Sequence, residues 1–134
     1  MTIFDAAIAG NISALQEIIK QAPDAVRATL DGVSNGDQAL HLACWQKQLF
    51  AVQVLMESGA DIDSQGLGGR TPLHYAVHDA EECNADIVYA ICSMLLSKGA
   101  DPCIADEVGF TPRSWAKVEL GDYSPDLLSL LNDK

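Results

Sequence analysis

One short motif recurs along the chain at a fixed spacing, and this recurrence constrains the fold more than any other feature. Leu-His-Leu-Ala at residues 40–43 returns 33 residues later as Leu-His-Tyr-Ala at residues 73–76. Gly-Ala-Asp at residues 59–61 returns at residues 99–101. A repeat of this length is one supersecondary unit that buries its apolar face only against its neighbours. The pattern therefore predicts a linear stack of units.

The most complete copy of the motif explains why it begins a helix. Residues 69–76 read Gly-Arg-Thr-Pro-Leu-His-Tyr-Ala. The hydroxyl of Thr71 suits an N-cap, and Pro72 suits the first helical position because its missing N–H has no partner there. Leu73 and Ala76 then share an apolar stripe. The motif thus predicts the first helix of each unit.

A 33-residue period with Thr-Pro-Leu-His-x-Ala is the signature of ankyrin repeats, and the chain resembles an ankyrin-repeat protein from end to end. The resemblance implies an all-α fold, an ankyrin-repeat solenoid of stacked helix-turn-helix pairs with short projecting β-hairpin loops. It also implies that His41 and His74 make structural hydrogen bonds within and between repeats.

These landmarks divide the single domain, residues 1–134, into four predicted units. The units are a degenerate repeat at 1–32, a second repeat at 33–65, a third at 66–105 and a capping unit at 106–134. The third unit is 40 residues long against a period of 33, and its added residues lie between Ala76 and Ile87. We predict that this seven-residue insertion projects from the stack.

Two units depart from the motif. In the second, Gln38 and Ala39 replace Thr-Pro, and Asp37 is the predicted substitute cap. In the last, Arg113 and Ser114 replace Leu-His. A charged side chain is tolerated at an inward position only on an uncovered end of a stack. We therefore expect the array to end with this unit.

Charge excludes several classes of partner. The chain has 19 Asp+Glu and 8 Lys+Arg, a formal net charge of −11. Such a surface repels DNA, RNA and anionic lipid, and no Lys or Arg occurs between Thr71 and Ser97. We expect no nucleic acid and no membrane as partner, but another protein with a basic surface.

The first residues and the cysteines favour a cytoplasmic protein, monomeric on its own. The first five residues contain an acid and no basic residue, unlike a secretory signal. The longest apolar run, residues 87–96, is about half as long as a membrane-spanning helix. The four cysteines show no C-x-x-C pairing and are expected to be reduced.

Catalytic and metal sites find little support in the sequence. His78, Cys83, Cys92 and Cys103 include zinc-ligand types, but no two of them have ligand spacing. A Cys83–His78 nucleophile pair lacks an orienting group and an oxyanion hole. The glycines of residues 66–69 lack P-loop spacing. We predict no enzyme activity, cofactor or metal; an enzyme or metal sensor stays an alternative that metal analysis would test.

The remaining candidate site is the concave surface that stacking creates. The family resemblance implies that partners bind hairpin tips and the exposed face of each first helix. Trp45 is prominent because exposed tryptophan is enriched among binding hot spots; the alternative is that it packs on Phe50. Trp115, in contrast, is predicted to lie in the core. The candidate partner-binding residues are Trp45, Gln46, Leu67, Arg70, His78, Asp79, Glu81, Glu82, Glu107 and Phe110.

The insertion adds acids to this surface. Asp79, Glu81, Glu82 and Asp86 stand there with no cation nearby in the sequence. We predict that this negative projection helps to dock a basic surface, with a neutral, solvated loop as the alternative. The predicted function is a non-enzymatic protein–protein interaction module, an acidic adaptor or inhibitor. An immunity- or antitoxin-type inhibitor of a basic toxin or nuclease is the alternative.

Overall fold

Helices provide the regular structure of the described part of the chain. The structure, a computed structural model, describes residues 1–30, 36–121 and 125–132. Three 3-10 turns, Pro23–Arg27, Leu67–Gly69 and Glu82–Asn84, lie in the connections, and the residues described contain no strand. The α-helices are α1 (Ile3–Ala9), α2 (Ile12–Gln21), α3 (Ala39–Trp45), α4 (Leu49–Glu57), α5 (Pro72–Val77), α6 (Ala85–Ser97), α7 (Pro112–Leu120) and α8 (Pro125–Leu130).

The helices stack in two rows. Helices α1, α3, α5 and α7 contact one another in chain order and form the inner row, while α2, α4, α6 and α8 form the outer row. Each inner helix also packs on the outer helix that follows it. This arrangement confirms the predicted all-α stack of helix pairs.

Apolar side chains between the rows form a continuous core. Leu40 of α3 and Leu73 of α5, at the leucine position of the motif, are 0% and 1% exposed. Leu55 of α4, Leu95 of α6 and Leu127 of α8 belong to the same core cluster on the side of the outer row and are also buried. Burying one such side chain contributes about 1.5–3 kcal/mol. Because each pair packs only on its neighbours, stability is distributed along the stack.

A threonine–proline pair begins α5, as predicted, and a second such pair begins α7. The hydroxyl of Thr71 accepts from the N–H of His74 at 3.5 Å, and that of Thr111 accepts from the N–H of Ser114 at 3.3 Å. Proline occupies the first position of both helices. Local sequence alone therefore sets where these two helices begin.

Helix α3 begins differently from the prediction. Its N-cap is Gln38, whose backbone N–H donates to Nδ1 of His41 at 2.9 Å. The prediction that Asp37 caps α3 is wrong, because its carboxylate accepts from Tyr75 in the neighbouring helix pair. A long-range partner thus replaces the local one.

The long connection between α5 and α6 projects only in part. Ala80 is buried, with 1% exposure. Glu82–Asn84 form a 3-10 turn and α6 begins at Ala85, so Asp86 lies in the first turn of that helix. The prediction that the whole insertion leaves the stack is therefore wrong, since part of it is absorbed into the core and into α6. Glu81 is among the residues that do remain exposed.

Candidate functional site

Trp45 ends α3 and lies half-exposed on the inner row, with 39% of its surface accessible. The centroid of its ring lies 6.2 Å from that of Tyr75 and 6.0 Å from that of His78, the latter edge to face. Trp45 thus packs toward α5 rather than on Phe50, which is 69% exposed on α4. A ring held by its neighbours yet accessible is prepared to bury a partner's apolar surface.

Lys47, two residues beyond α3, ties α3 to α5. Its ammonium donates to the backbone oxygen of His78 at 2.6 Å and to that of Tyr75 at 3.1 Å. Burial lowers the pKa of Lys47, although the charge of Asp79 acts in the opposite direction. No cation is near the acidic insertion in the sequence, but the neighbouring helix pair brings the ammonium of Lys47 close to Asp79.

The connection after α5 is held by its own hydrogen bonds. The side chain of Asn84 accepts from the N–H of Glu81 at 2.7 Å and donates to the backbone oxygen of Asp79 at 3.1 Å. Nδ1 of His78 lies 3.3 Å from Oδ2 of Asp79. This places a carboxylate next to the ring that Trp45 contacts. Among the acids of this segment whose side chains the structure describes, Asp79, Glu81 and Asp86 are exposed.

A buried carboxylate links the loop before α3 to the loop before α5. Asp37 is 1% exposed. Its Oδ1 accepts from the N–H of Leu67 at 3.0 Å, and both of its oxygens lie 2.9 Å from the hydroxyl of Tyr75. A Cβ at Gly66 would collide with this carboxylate, so glycine is required there. Because Tyr75 also contacts Trp45, Asp37 connects the Leu67 tip to the Trp45 surface.

A second polar group lies at the tip before α7. Nε1 of Trp115 donates to Oδ2 of Asp106 at 2.7 Å, and the ring of Phe110 packs 4.9 Å from that of Trp115. The guanidinium of Arg70 lies 5.5 Å from the Trp115 ring and its Nε lies 3.9 Å from Oδ2 of Asp106. Trp115 packs against the core as predicted, but its N–H turns to this carboxylate.

Hydrogen bonds hold Asp106 ionised. Burial alone would raise the pKa of Asp106, but the bond from Trp115 and the backbone bonds from Phe110 and Val108 lower it below the ordinary value. The neighbouring tips are also joined, since the N–H of Glu107 donates to the oxygen of Gly68 at 2.9 Å. The tips therefore form one connected edge.

His41 and His74 have both ring nitrogens engaged. Nδ1 of His74 accepts from the N–H of Thr71 at 3.0 Å, and its Nε2 donates to the oxygen of Phe110 at 2.8 Å. His41 repeats this arrangement, with the oxygen of Ser64 as the Nε2 partner at 2.8 Å. Burial lowers the pKa of both histidines, which favours the neutral ring. These contacts match the structural role that the family resemblance implied.

The predicted site residues fall into two clusters, which are connected through Asp37 and Tyr75. The helix-end cluster, at the ends of α3 and α5, contains Trp45, Gln46, His78, Asp79 and Glu81. The tip cluster, in the loops before α5 and α7, contains Leu67, Arg70, Glu107 and Phe110. The side chain of Glu82, the tenth predicted residue, lies outside the described residues.

Sequence reasoning missed Asp37, Tyr75 and Lys47, which hold these clusters in place. Their hydrogen bonds join residues that are 28 to 38 positions apart in the chain, so no local sequence pattern predicts these contacts. The one available signal was Lys47 itself, a lysine just after a helix end, where the first unit has Gly10.

Comparison with known proteins decides the family. A model of ankyrin repeats (3 copies) matches residues 3–106. The chain belongs to the ankyrin-repeat family. Ankyrin repeats mediate protein–protein interaction, and the family is generally non-enzymatic.

Similar sequences occur as segments of much longer proteins. ADP-ribosylation factor GTPase-activating protein AGD2 of Arabidopsis thaliana is 32% identical over 96 residues, covering 72% of this chain and 11% of that protein. RelA-associated inhibitor of Mus musculus is 32% identical over 98 residues, covering 73% and 11%. NF-kappa-B inhibitor cactus of Drosophila melanogaster is 39% identical over 54 residues, covering 40% and 10%. The chain thus spans about a tenth of the length of these curated relatives.

The described residues, 1–30, 36–121 and 125–132, contain neither a group of three or more His, Cys, Asp or Glu arranged to hold a metal ion nor a helix that is long and apolar enough to cross a membrane. A groove of about 640 Å³ between the end of α6 and α8, lined by Leu96, Pro102 and Leu130 among others, includes none of the predicted site residues.

Proposed function

We propose that the chain binds a partner protein through the helix-end and tip clusters, as an acidic adaptor or inhibitor. The observation that supports this most is Trp45, a large aromatic ring that is 39% exposed and is held by Tyr75 and His78. Burying a fixed ring costs little side-chain entropy, which is why such residues dominate binding energy.

The partner surface that suits this face is basic. The chain has a net charge of −11, and the exposed carboxylate of Asp79 adjoins the Trp45–His78 contact. Glu81, two residues further along, is exposed as well. The ammonium of Lys47, which lies beside this segment, donates inward to two backbone oxygens. Long-range attraction would therefore raise the association rate of a cationic partner.

Inhibition is the finer version of the proposal. Two similar proteins are named as inhibitors, RelA-associated inhibitor and NF-kappa-B inhibitor cactus. A small acidic chain that covers a basic surface would block whatever that surface binds. A basic toxin or nuclease is the alternative target, favoured by the strong negative charge, and loss of nuclease activity on stoichiometric mixing would identify it.

We further propose that the protein is cytoplasmic and monomeric on its own. Cys44 and Cys92 are buried thiols, and burial raises the pKa of Cys92 to about 12. A net charge of −11 also opposes self-association. Cell fractionation and sedimentation equilibrium test the two statements, and a dimer at micromolar concentration would contradict the second.

The binding experiment begins with affinity capture from the native host and identification of the retained protein. Dissociation rates are then measured for Trp45→Ala and for Phe50→Ala, an equally apolar and more exposed aromatic on the outer row. We expect Trp45→Ala to speed dissociation about 30-fold, which corresponds to about 2 kcal/mol for a hot spot. Equal effects of the two variants would refute the proposed face.

Charge is tested by a second matched pair. Glu81→Lys and Asp24→Lys change the net charge equally, but Asp24 lies in the turn after α2, away from the clusters. We expect Glu81→Lys to slow association several-fold at low salt and to flatten its salt dependence, with a smaller effect of Asp24→Lys. Association rates that ignore salt and both substitutions would contradict the basic-partner proposal.

A further inference from the structure

We infer that Lys47 is a positioning residue of this surface, which holds Trp45 and the residues after α5 in a single arrangement. The inference deepens the proposed function and rests on it. It is supported first by the backbone position that Lys47 occupies, then by the identity of its two acceptors.

Lys47 stands where glycine would be easier. Its φ is 57°, in the left-handed region, and Gly10 has φ 67° at the matching place after α1. The backbone hydrogen bonds match as well. The N–H of Lys47 donates to the backbone oxygen of Cys44 at 3.1 Å, and the N–H of Gly10 donates to the backbone oxygen of Ala7 at 3.3 Å. Side chains other than glycine are disfavoured in this conformation. The lysine side chain must therefore provide something that glycine lacks.

What it provides is a tie to the same two residues that Trp45 contacts. The ammonium binds the backbone oxygens of Tyr75 and His78, while the indole meets the rings of Tyr75 and His78. The oxygens lie at the carboxyl end of α5, where the helix dipole favours a cation. Lys47 thus holds the backbone of Tyr75 and His78, whose side chains support Trp45.

The tie also reaches the acidic segment. Asp79 has φ 55° and directly follows His78, so the direction in which the carboxylates leave α5 depends on where the His78 carbonyl is held. Without the ammonium of Lys47, the backbone of His78 would lose a hydrogen bond that fixes both the Trp45–His78 contact and the direction of the acidic segment. Lys47 would therefore act on binding through Trp45 and His78 rather than by touching the partner.

The test uses the isolated protein and therefore needs no partner. Two-dimensional NMR follows the indole N–H of Trp45, assigned with Trp45→Phe, and the exchange of the amides of His78 and Ala80. The variants are Lys47→Met, Lys47→Gly and Lys47→Arg. Lys98→Met is the matched control, because it removes the same charge from an exposed position.

We expect Lys47→Met and Lys47→Gly to shift the indole signal of Trp45 and to speed amide exchange at His78 and Ala80 about tenfold, as loss of a charged hydrogen bond implies. Lys47→Arg should restore most of both, and Lys98→Met should change neither. If Lys47→Met does not fold, Lys47→Gly decides, because glycine accepts the left-handed backbone.

An unchanged indole signal and unchanged exchange in Lys47→Gly would overturn the inference. With a partner in hand, Lys47→Gly should also speed dissociation, by less than Trp45→Ala. If the NMR changes appear while Trp45→Ala leaves binding intact, the proposed binding face fails and the positioning of Trp45 by Lys47 stands.

Discussion

The buried pair of Asp37 and Tyr75 offers a quantitative test of how neighbouring helix pairs are joined. We consider Asp37→Asn, Tyr75→Phe and the double variant. The hydroxyl of Tyr75 lies 2.9 Å from both oxygens of a carboxylate that is 1% exposed. A hydrogen bond to a charged group contributes about 1.5–3 kcal/mol.

Tyr75→Phe removes that donor and leaves the N–H of Leu67 on the carboxylate. Asp37→Asn keeps the shape but removes the charge, and turns an NH₂ toward either the hydroxyl or the N–H of Leu67. We expect each single substitution to lower the free energy of unfolding by about 1.5–3 kcal/mol. The double variant should cost little more than one of them, so the coupling free energy should exceed about 1 kcal/mol.

Urea unfolding followed by circular dichroism gives these free energies. Asp24→Asn, at an exposed carboxylate, is the control and should change stability by less than about 0.5 kcal/mol. Strictly additive losses from Asp37→Asn and Tyr75→Phe would refute the reasoning, because they would mean that the two side chains do not depend on each other.

Two further predictions concern the motif and pH. Urea unfolding should show that Thr71→Ala lowers the free energy of unfolding by about 1 kcal/mol and Leu73→Ala by about 2–5 kcal/mol. Equal losses from the two substitutions would contradict the core position of Leu73, which is 1% exposed. Burial lowers the pKa of His41 and His74, so below their ordinary value the unfolded chain binds more protons than the folded one. The free energy of unfolding should therefore be highest above about pH 6.5 and should fall at lower pH by up to about 1.4 kcal/mol per pH unit for each histidine. Urea midpoints that stay constant between about pH 5 and 7 would contradict this prediction.

The fold was predictable because its determinants are local and repeated. Thr71 and Pro72 set the start of α5, and Thr111 and Pro112 set that of α7, as the motif indicates. The path of the insertion was not predictable in the same way. Burial of Ala80 depends on a space left by surrounding helices, and no sequence spacing records such a space.

The candidate site likewise has features that the sequence predicts and features that depend on long-range contacts. The place of Trp45 after the motif favoured an exposed ring, and the residues at the matching places of the first and last units, Ile8 and Val118, are exposed as well. The roles of Asp37 and Lys47 did not follow, since their partners come from another helix pair. The sequence thus indicated which residues lie on the surface, whereas the long-range contacts that hold them are visible only in the structure.

The most direct test of the account is a hydrogen–deuterium exchange footprint of the captured partner on this chain. If the partner binds the helix-end and tip clusters, binding should protect the end of α3 around Trp45, residues 78–81 and the tip of residues 67–70. It predicts no protection in the middle of α4 and α6, on the outer row. Protection confined to α4 and α6, with exchange at Trp45 and His78 unchanged, would contradict it.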